Sequence, residues 1–549
     1  MMLSSPNAAV AAVLDIENLR AVVPDEAPAS HQACDVLVVG GGIGGVAAAE
    51  ALIRQGLRVI LTEPTHSIGG QFTTQLVPVP DESHHIELEP GTSTGAYRRL
   101  RAEVRAHYAA QPGVLPAAAT NIGGCWVSRV SGTPDVWERL LRARLSRAEA
   151  VLMRHQMRSA ETVGDTFRHA DFVDLDSGRL VRIAAKFLLD ATEDGSALEL
   201  AGLPTTLGQE SQADYGEPNA PPDAHPEWVQ SFTYCFAVRW AAGGDPLGIV
   251  PRPDEYETFR AMGEYTLDYL YSHPPRTVSY SVLGKAAGSG GPFWTYRRLL
   301  AADSRGGASP VGDVALINWR GNDFRDEVYL GKSVEEQIRI LKRGKAFAQG
   351  FLHWLQTECP RDEGQGFGYP EMQLVTGSDF SGIGADGFAR HPYVRESRRL
   401  RAQFPLTALH LTTSATGDGR WGAEFVDSVG CAFYPMDIHP AKGEPHLLAH
   451  ALPYHLPLGA FLTRAGAVNV LPAAKNFGAS RLALASARMH PTEWLVGEVA
   501  GMLAAFCLRE GFSDPLAVRQ TPQLLREFQA KLRGAGIPLH WSEILPPLE

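Results

Sequence analysis

The chain has 549 residues, 44% hydrophobic and 20% charged, with a formal net charge of −11. This is the profile of a globular protein of several domains, long enough to bury a substantial core. An acidic chain lacks the basic field that neutralises phosphates, so nucleic acid is not an expected partner.

Residues 1–31, rich in Ala, Pro and Ser, read as a mobile extension or a short helix. The apolar stretch AAVAAVL at 8–14 is short, has no basic residue before it and runs into Asp15 and Glu17, unlike a secretory signal. No run of 18 apolar residues occurs, which argues against a membrane span. The six cysteines (Cys34, Cys125, Cys235, Cys359, Cys431, Cys507) include no pair two residues apart. They read as buried thiols, and a cytoplasmic protein is expected.

DVLVV at 35–39 is a short β-branched run, followed by Gly40-Gly41-Gly42-Ile43-Gly44-Gly45, the Ala-rich segment VAAAEALIRQ and a second apolar run, LRVILTE, ending at Glu63. Strand, glycine turn, helix, strand and acid follow one another, with Glu63 lying 23 residues after Gly40. Gly40 permits the tight turn, Gly42 leaves room for a diphosphate, and Gly45 lets helix and strand approach. Free amides at the helix start would face the diphosphate, and Glu63 would accept hydrogen bonds from ribose hydroxyls. The pair Gly69-Gly70, with Gln71 after it, gives the chain a way past an extended FAD, and no second strand–GxGxxG–helix unit follows. One dinucleotide site, holding FAD, is the expectation.

The residues between the FAD segments read as core and loop. Tyr97, Leu100, Val104 and Tyr108 are spaced for an amphipathic helix, as are Trp137, Leu140, Leu141 and Leu145. The polar run Asp81, Glu82, His84, His85, Glu87 and Glu89 has no metal-ligand spacing and reads as a solvated loop. Residues 166–192 read as a β-meander with a turn at Asp176-Ser177-Gly178, ending in Asp190-Ala191-Thr192 on the nucleotide site. Glu193 stands where many flavoproteins have Gly. Near the C-terminus, 469–508 reads as a strand, a loop carrying Asn476 and Arg488, and a long helix starting at Pro491 and Thr492, with small residues for close packing.

Taken together, GGGIGG, GGQFTTQ, GCWVSRV, DATEDG, GQES, QSFTYCF, YVRESRR, YPMDIH and ARMHPTEWLVGEVAG give the chain its resemblance to a known family. It resembles the FAD-dependent oxidoreductases with the glutathione-reductase-like FAD fold, in the branch related to fumarate reductases and thiazole-biosynthesis-like flavoproteins. The resemblance spans 33–512 and departs at Ala473-Ala474, where such proteins often have Ala-Gly beside the flavin. It implies an α/β fold: a Rossmann-like FAD-binding domain carrying an inserted α+β substrate domain with a mixed or antiparallel sheet. The expected parts are an N-terminal extension (1–32), FAD domain (33–204), substrate domain (205–440), the rest of the FAD domain (441–515) and a helical tail (516–549).

The expected chemistry is hydride transfer from a small organic substrate to flavin N5, by an oxidase or dehydrogenase that passes electrons to dioxygen or another acceptor. The alternatives are an FAD-dependent monooxygenase, or a hydratase or isomerase with a non-redox FAD; a tRNA-modifying flavoprotein would need a basic surface. His490, just before the last helix, is a candidate base or a structural neighbour of the ring. In an extended strand, Arg395 and Arg399 would share one face and Glu396 and Arg398 the other, giving either an anion site or a structural ion-pair cluster. Asp437 and His439, on one strand face, would form either a His–carboxylate pair or surface or interdomain hydrogen bonds. No metal or membrane partner is expected, and a homodimer is left open.

Overall fold

The computed structural model describes residues 12–88, 91–244, 248–272, 275–307, 309–364, 366–377, 380–416 and 419–545; Glu89 and residues 1–11 lie outside them. At the centre is a five-stranded sheet in the order Val470–Pro472, Phe187–Asp190, Val36–Val39, Val59–Glu63, Ala150–Met153. Every neighbouring pair in it is parallel. Val36–Val39 and Phe187–Asp190 are buried at every residue, as strands covered on both faces must be, so their sequences read as unbroken apolar runs.

On this sheet lies the glycine-loop helix, Ile43–Arg54, packed against a closing helix, His490–Glu510. The closing helix is buried around its whole circumference as far as Cys507. A Cβ added to Gly497 would lie 2.0 Å from Gly44 O, and one added to Gly501 2.5 Å from Ala48 O. The expected small-residue packing is therefore backbone against backbone. Gly511 ends the closing helix at φ 81, a conformation glycine adopts without a Cβ penalty.

The meander is present: His155–Val163, Thr166–Asp174 and Leu180–Ala184 pair antiparallel. Its outer strand, however, is Pro28–Ala33, and Val13–Asp15 pairs with Arg20–Val22. The expected mobile extension or short helix is thus wrong for residues 13–33, which are held in sheets. Both amphipathic helices form, at Gly95–Ala109 and Pro134–Arg144, burying Tyr97, Leu100, Val104 and Tyr108 in one and Trp137 and Leu141 in the other.

The inserted lobe is an antiparallel sheet, Arg298–Leu300, Val314–Ile317, Phe236–Trp240, Met372–Leu374. Against it packs a 24-residue helix, Val334–Thr357, started by a Ser333/Glu336 capping box. The expected boundary at residue 440 cuts through Met436–Ile438 paired with Leu447–Ala449, and through Ser428–Ala432 paired with Tyr454–Pro457. Val429, Met436 and Leu456 share one hydrophobic core with the glycine-loop helix, so the lobe returns to the nucleotide domain before 428. The C-terminal tail forms Leu516–Gln520 and Pro522–Gly534, and Trp541 beyond them is fully buried. All six cysteines are free and buried, and no described helix is long and apolar enough to cross a membrane.

Candidate active site

The glycine turn is set by close backbone contacts. Gly40 has φ +103, and Cβ atoms added to Gly40, Gly44 and Gly45 would lie 2.2 Å from Ala191 O, 2.0 Å from Ala473 O and 1.9 Å from Gly40 O. Gly69 and Gly70, both at positive φ, pack on this turn, Gly69 N donating to Gly41 O at 2.7 Å. Gly42 differs from Gly40, Gly44 and Gly45, because a Cβ there would meet a side-chain end, Glu193 Oε1, at 2.7 Å. Gly42, the N-cap of the Ile43–Arg54 helix, lines a cavity of about 440 Å³ together with Thr62, Glu63, Gly70, Ala191, Thr192 and Glu193.

Glu63 closes the second strand. Its carboxylate accepts Gly41 N at 2.8 Å, Thr65 N at 3.0 Å and Thr65 Oγ1 at 2.6 Å, and burial pushes its pKa up to about 7. Asp190 is not a cavity residue. Its oxygens take Thr192 N, Thr192 Oγ1 and Leu198 N, which shapes the turn carrying Ala191 and Thr192, and burial raises it to about 6. Asn476 likewise links strand ends, donating to Asp190 O at 2.9 Å and accepting Ala474 N at 3.2 Å. Ile43 is wholly buried in the helix, and Pro491 and Thr492 form the first turn of the closing helix. These five residues support the nucleotide groove without lining it.

A buried cluster adjoins the groove at Glu193; of its members the sequence singled out Gln71 and Glu193 but not Lys475 and Glu493. Lys475 Nζ, with its side chain fully buried, pairs with Glu193 and lies 3.6 Å from Glu493 Oε2. Gln71 Nε2 donates to Glu493 Oε2 at 2.5 Å and to Arg488 O at 3.4 Å. Burial raises Glu493, while at Glu193 burial is outweighed by Lys475 and His391 together, which hold it low. Gln71 Oε1, Gln75 Nε2, Glu193 Oε1 and Glu493 Oε1 have no hydrogen-bond partner. Each such buried group costs about 1–3 kcal/mol unless a ligand satisfies it. The backbone fits a dinucleotide diphosphate. The movable end of Glu193 stands over Gly42 and Gly70, so its carboxylate has to turn aside for an anion of the same sign.

Beyond Gln71 lies a second cavity, of about 40 Å³, lined by Asp81, Tyr296, Arg297, Trp319, Arg320, Tyr393, Arg395, Tyr434, Asp437, His439, Arg488 and Met489, among others. Arg297 pairs with Asp81 at 2.7 Å, and Arg395 with Asp323 at 2.9 Å. His439 Nδ1 lies 2.5 Å from Asp323 Oδ2 and its Nε2 3.2 Å from Asp437 Oδ2. Each ring nitrogen of His439 thus has a carboxylate oxygen as its hydrogen-bond partner. Against the effect of burial, His439 and Arg488 together hold Asp437 far below the ordinary carboxylate range. Arg488, 3% exposed, reaches only Tyr393 Oη at 3.4 Å and Asp437 O at 3.1 Å.

The structure thus brings Arg395, His439 and Arg488 to one cavity and separates three other residues from it. Arg398 instead lines the nucleotide cavity, pairing with Glu199 at 2.8 Å and Asp194 at 3.5 Å. The expected strand faces do not exist, because 394–398 is irregular and Arg399 turns back to Glu396 and to Glu210. His490 is not placed to act as a base. It is fully buried, its Nδ1 accepts Asp81 N at 3.2 Å, its Nε2 donates to Val77 O at 3.1 Å, and burial lowers it to about 4. The expected solvated loop is corrected as well: Asp81 and Glu82 are buried partners of Arg297 and Arg101. Asp81, Arg297 and Asp323 were missed, and no local spacing could have found them. Glu493 sits inside ARMHPTEWLVGEVAG and Lys475 directly follows Ala473-Ala474, so both were within reach of the sequence.

A profile of the family described as FAD dependent oxidoreductase matches residues 35–532. No curated protein matches the chain. Among solved structures, a geranylgeranyl bacteriochlorophyll reductase-like protein from Thermoplasma acidophilum aligns at 11% identity over 94% of this chain and 86% of its own, with a TM-score of 0.34. The anhydrotetracycline hydroxylase from Streptomyces rimosus aligns at 16% identity over 40% of this chain and 41% of its own (TM-score 0.24). A myxobacterial chondrochloren halogenase aligns at 18% identity over 39% and 46% (TM-score 0.22).

Proposed function

The chain belongs to the FAD-dependent oxidoreductase family, and from that premise we propose that it is an oxidase or dehydrogenase acting on a small organic substrate held between Arg488 and His439. FAD in the glycine-turn groove supplies the hydride acceptor, and dioxygen or another acceptor takes the electrons onward. The observation that carries this reading is Gln71, which joins the groove to the charged cavity through Glu493 and Arg488 O.

The residues of the cavity divide the work. Asp437 Oδ1, without a partner, accepts the hydrogen bond of a substrate hydroxyl or amino group and orients it as the neighbouring C–H bond breaks. His439 bonds Asp437, and the Arg395–Asp323 pair holds its ring in place. The rings of Tyr296, Trp319, Tyr393 and Tyr434 exclude water.

Anaerobic mixing of the flavin-loaded protein with hydroxy acids, amino acids and simple alcohols is expected to bleach the flavin. Asp437→Asn, whose amide can turn a donor toward the substrate, is expected to slow bleaching by about 10²-fold through misplacement, with flavin content unchanged. Sustained turnover of a substrate with no change in flavin colour would assign FAD a non-redox part and defeat the hydride reading.

A further inference from the structure

We infer that the substrate is a small carboxylic acid with one hydroxyl or amino group beside the carboxylate, recognised through Arg488 and Arg320; this rests on the reading of the second cavity as the substrate site. The first observation is charge. Four arginines meet three carboxylates, Asp81 and Asp437 on the wall and Asp323 behind Arg395, with His439 bonded between Asp323 and Asp437. Arg297 and Arg395 are matched by Asp81 and Asp323, and His439 by Asp437. Arg488, buried, and Arg320, half-buried, make no direct ion pair with a carboxylate among the described residues. A guanidinium with no carboxylate in direct contact favours a ligand that brings one, and its planar fork matches a carboxylate.

The second observation is independent of charge. Residues lining this cavity carry four buried donors without a partner, namely Arg297 Nε, Arg395 Nε, Arg488 Nε and Trp319 Nε1, and one unpartnered acceptor, Asp437 Oδ1. A ligand that satisfies them is rich in acceptor oxygens and supplies one O–H or N–H. A 2-hydroxy or 2-amino carboxylate has that inventory, and a plain alcohol or a simple amine does not. A cavity of about 40 Å³ has room for such a head group. The proton donor would meet Asp437, and the carbon that bears it is the carbon to be oxidised.

The test uses oxamate, which carries a carboxylate and an amide N–H but no C–H to surrender, and its neutral ester ethyl oxamate. Each is titrated into the flavin-loaded protein, following tryptophan fluorescence and flavin absorption. Oxamate is expected to bind saturably and at least tenfold more tightly than the ester, and Arg488→Gln is expected to erase that preference. Arg320→Gln serves as a second variant should Arg488→Gln lose its flavin. Equal binding of acid and ester, or no binding of oxamate, overturns the inference. Because oxamate cannot be oxidised, the outcome is separate from the hydride reading. Selective oxamate binding without bleaching by any hydroxy or amino acid would leave this inference standing and remove the other, and bleaching by a neutral alcohol without oxamate binding would do the reverse.

Discussion

Gly42 and Glu63 show how single residues set the nucleotide groove. Gly42 lines the cavity, and its missing side chain would meet the movable end of Glu193, whereas those of Gly40, Gly44 and Gly45 would meet backbone. Gly42→Val therefore fills the diphosphate's place while the fold, held at Gly40, Gly44 and Gly45, persists. The expected outcome is folded protein with flavin content near zero by absorbance after denaturation; a normal content would show that the diphosphate lies elsewhere. Glu63 makes a prediction about pH. Burial moves its carboxyl from 4.5 to about 7, so the folded chain holds a proton that the unfolded chain has released. A raised carboxyl stabilises the fold at low pH and loses that stabilisation as pH rises through the folded value. For Glu63 the loss approaches about 3 kcal/mol across that window. Denaturant unfolding of the flavin-free protein between pH 4.5 and 7 is expected to show this fall, and Glu63→Gln to flatten it. An unchanged slope in Glu63→Gln would mean that the carboxyl is ionised throughout.

At the scale of elements, the contact between the glycine-loop helix and the closing helix joins the first and last parts of the nucleotide domain. Gly497→Val would drive a side chain into Gly44 O, which is backbone and cannot turn away. The expected cost is about 1–3 kcal/mol or more, seen as a lower unfolding midpoint together with weaker FAD retention. Wild-type stability would mean that the helices are further apart. The closing helix was legible from Pro491 and its small residues, and the amphipathic helices from their periodicity. The Arg481–Ala487 helix was not. It is fully buried, so its Ala and Leu residues have no polar face to alternate with, and its seven residues are too few to show a period. The N-terminal strands escaped for a different reason. Pro28–Ala33 is polar and half exposed, and becomes a strand because Leu180–Ala184 lies beside it.

Over the whole molecule, the inserted lobe is tied to the nucleotide domain by buried ion pairs. Arg297, at the start of a lobe strand, pairs with Asp81 and donates to Val79 O at 2.7 Å. Asp81→Asn would leave that guanidinium buried and uncompensated, at an expected cost of about 3–5 kcal/mol in denaturant unfolding. A loss below about 1 kcal/mol, typical of solvated pairs, would show that the junction is wet.

The difference in legibility follows the distance along the chain. The nucleotide groove was readable because one contiguous run, strand to glycine turn to helix to acid, supplies backbone amides, bare Cα atoms and Glu63 within a single βαβ unit, where spacing alone dictates geometry. The second cavity draws Asp81, Arg297, Asp323, Arg395, His439 and Arg488 from six separate stretches. Which of those arginines is neutralised, and which is left to meet a ligand, depends on carboxylates far away in sequence. Charge pairing acts through space over a few ångströms, so only the folded chain decided that Arg399 is structural, that His490 is spent on backbone groups, and that Arg488 makes no direct ion pair.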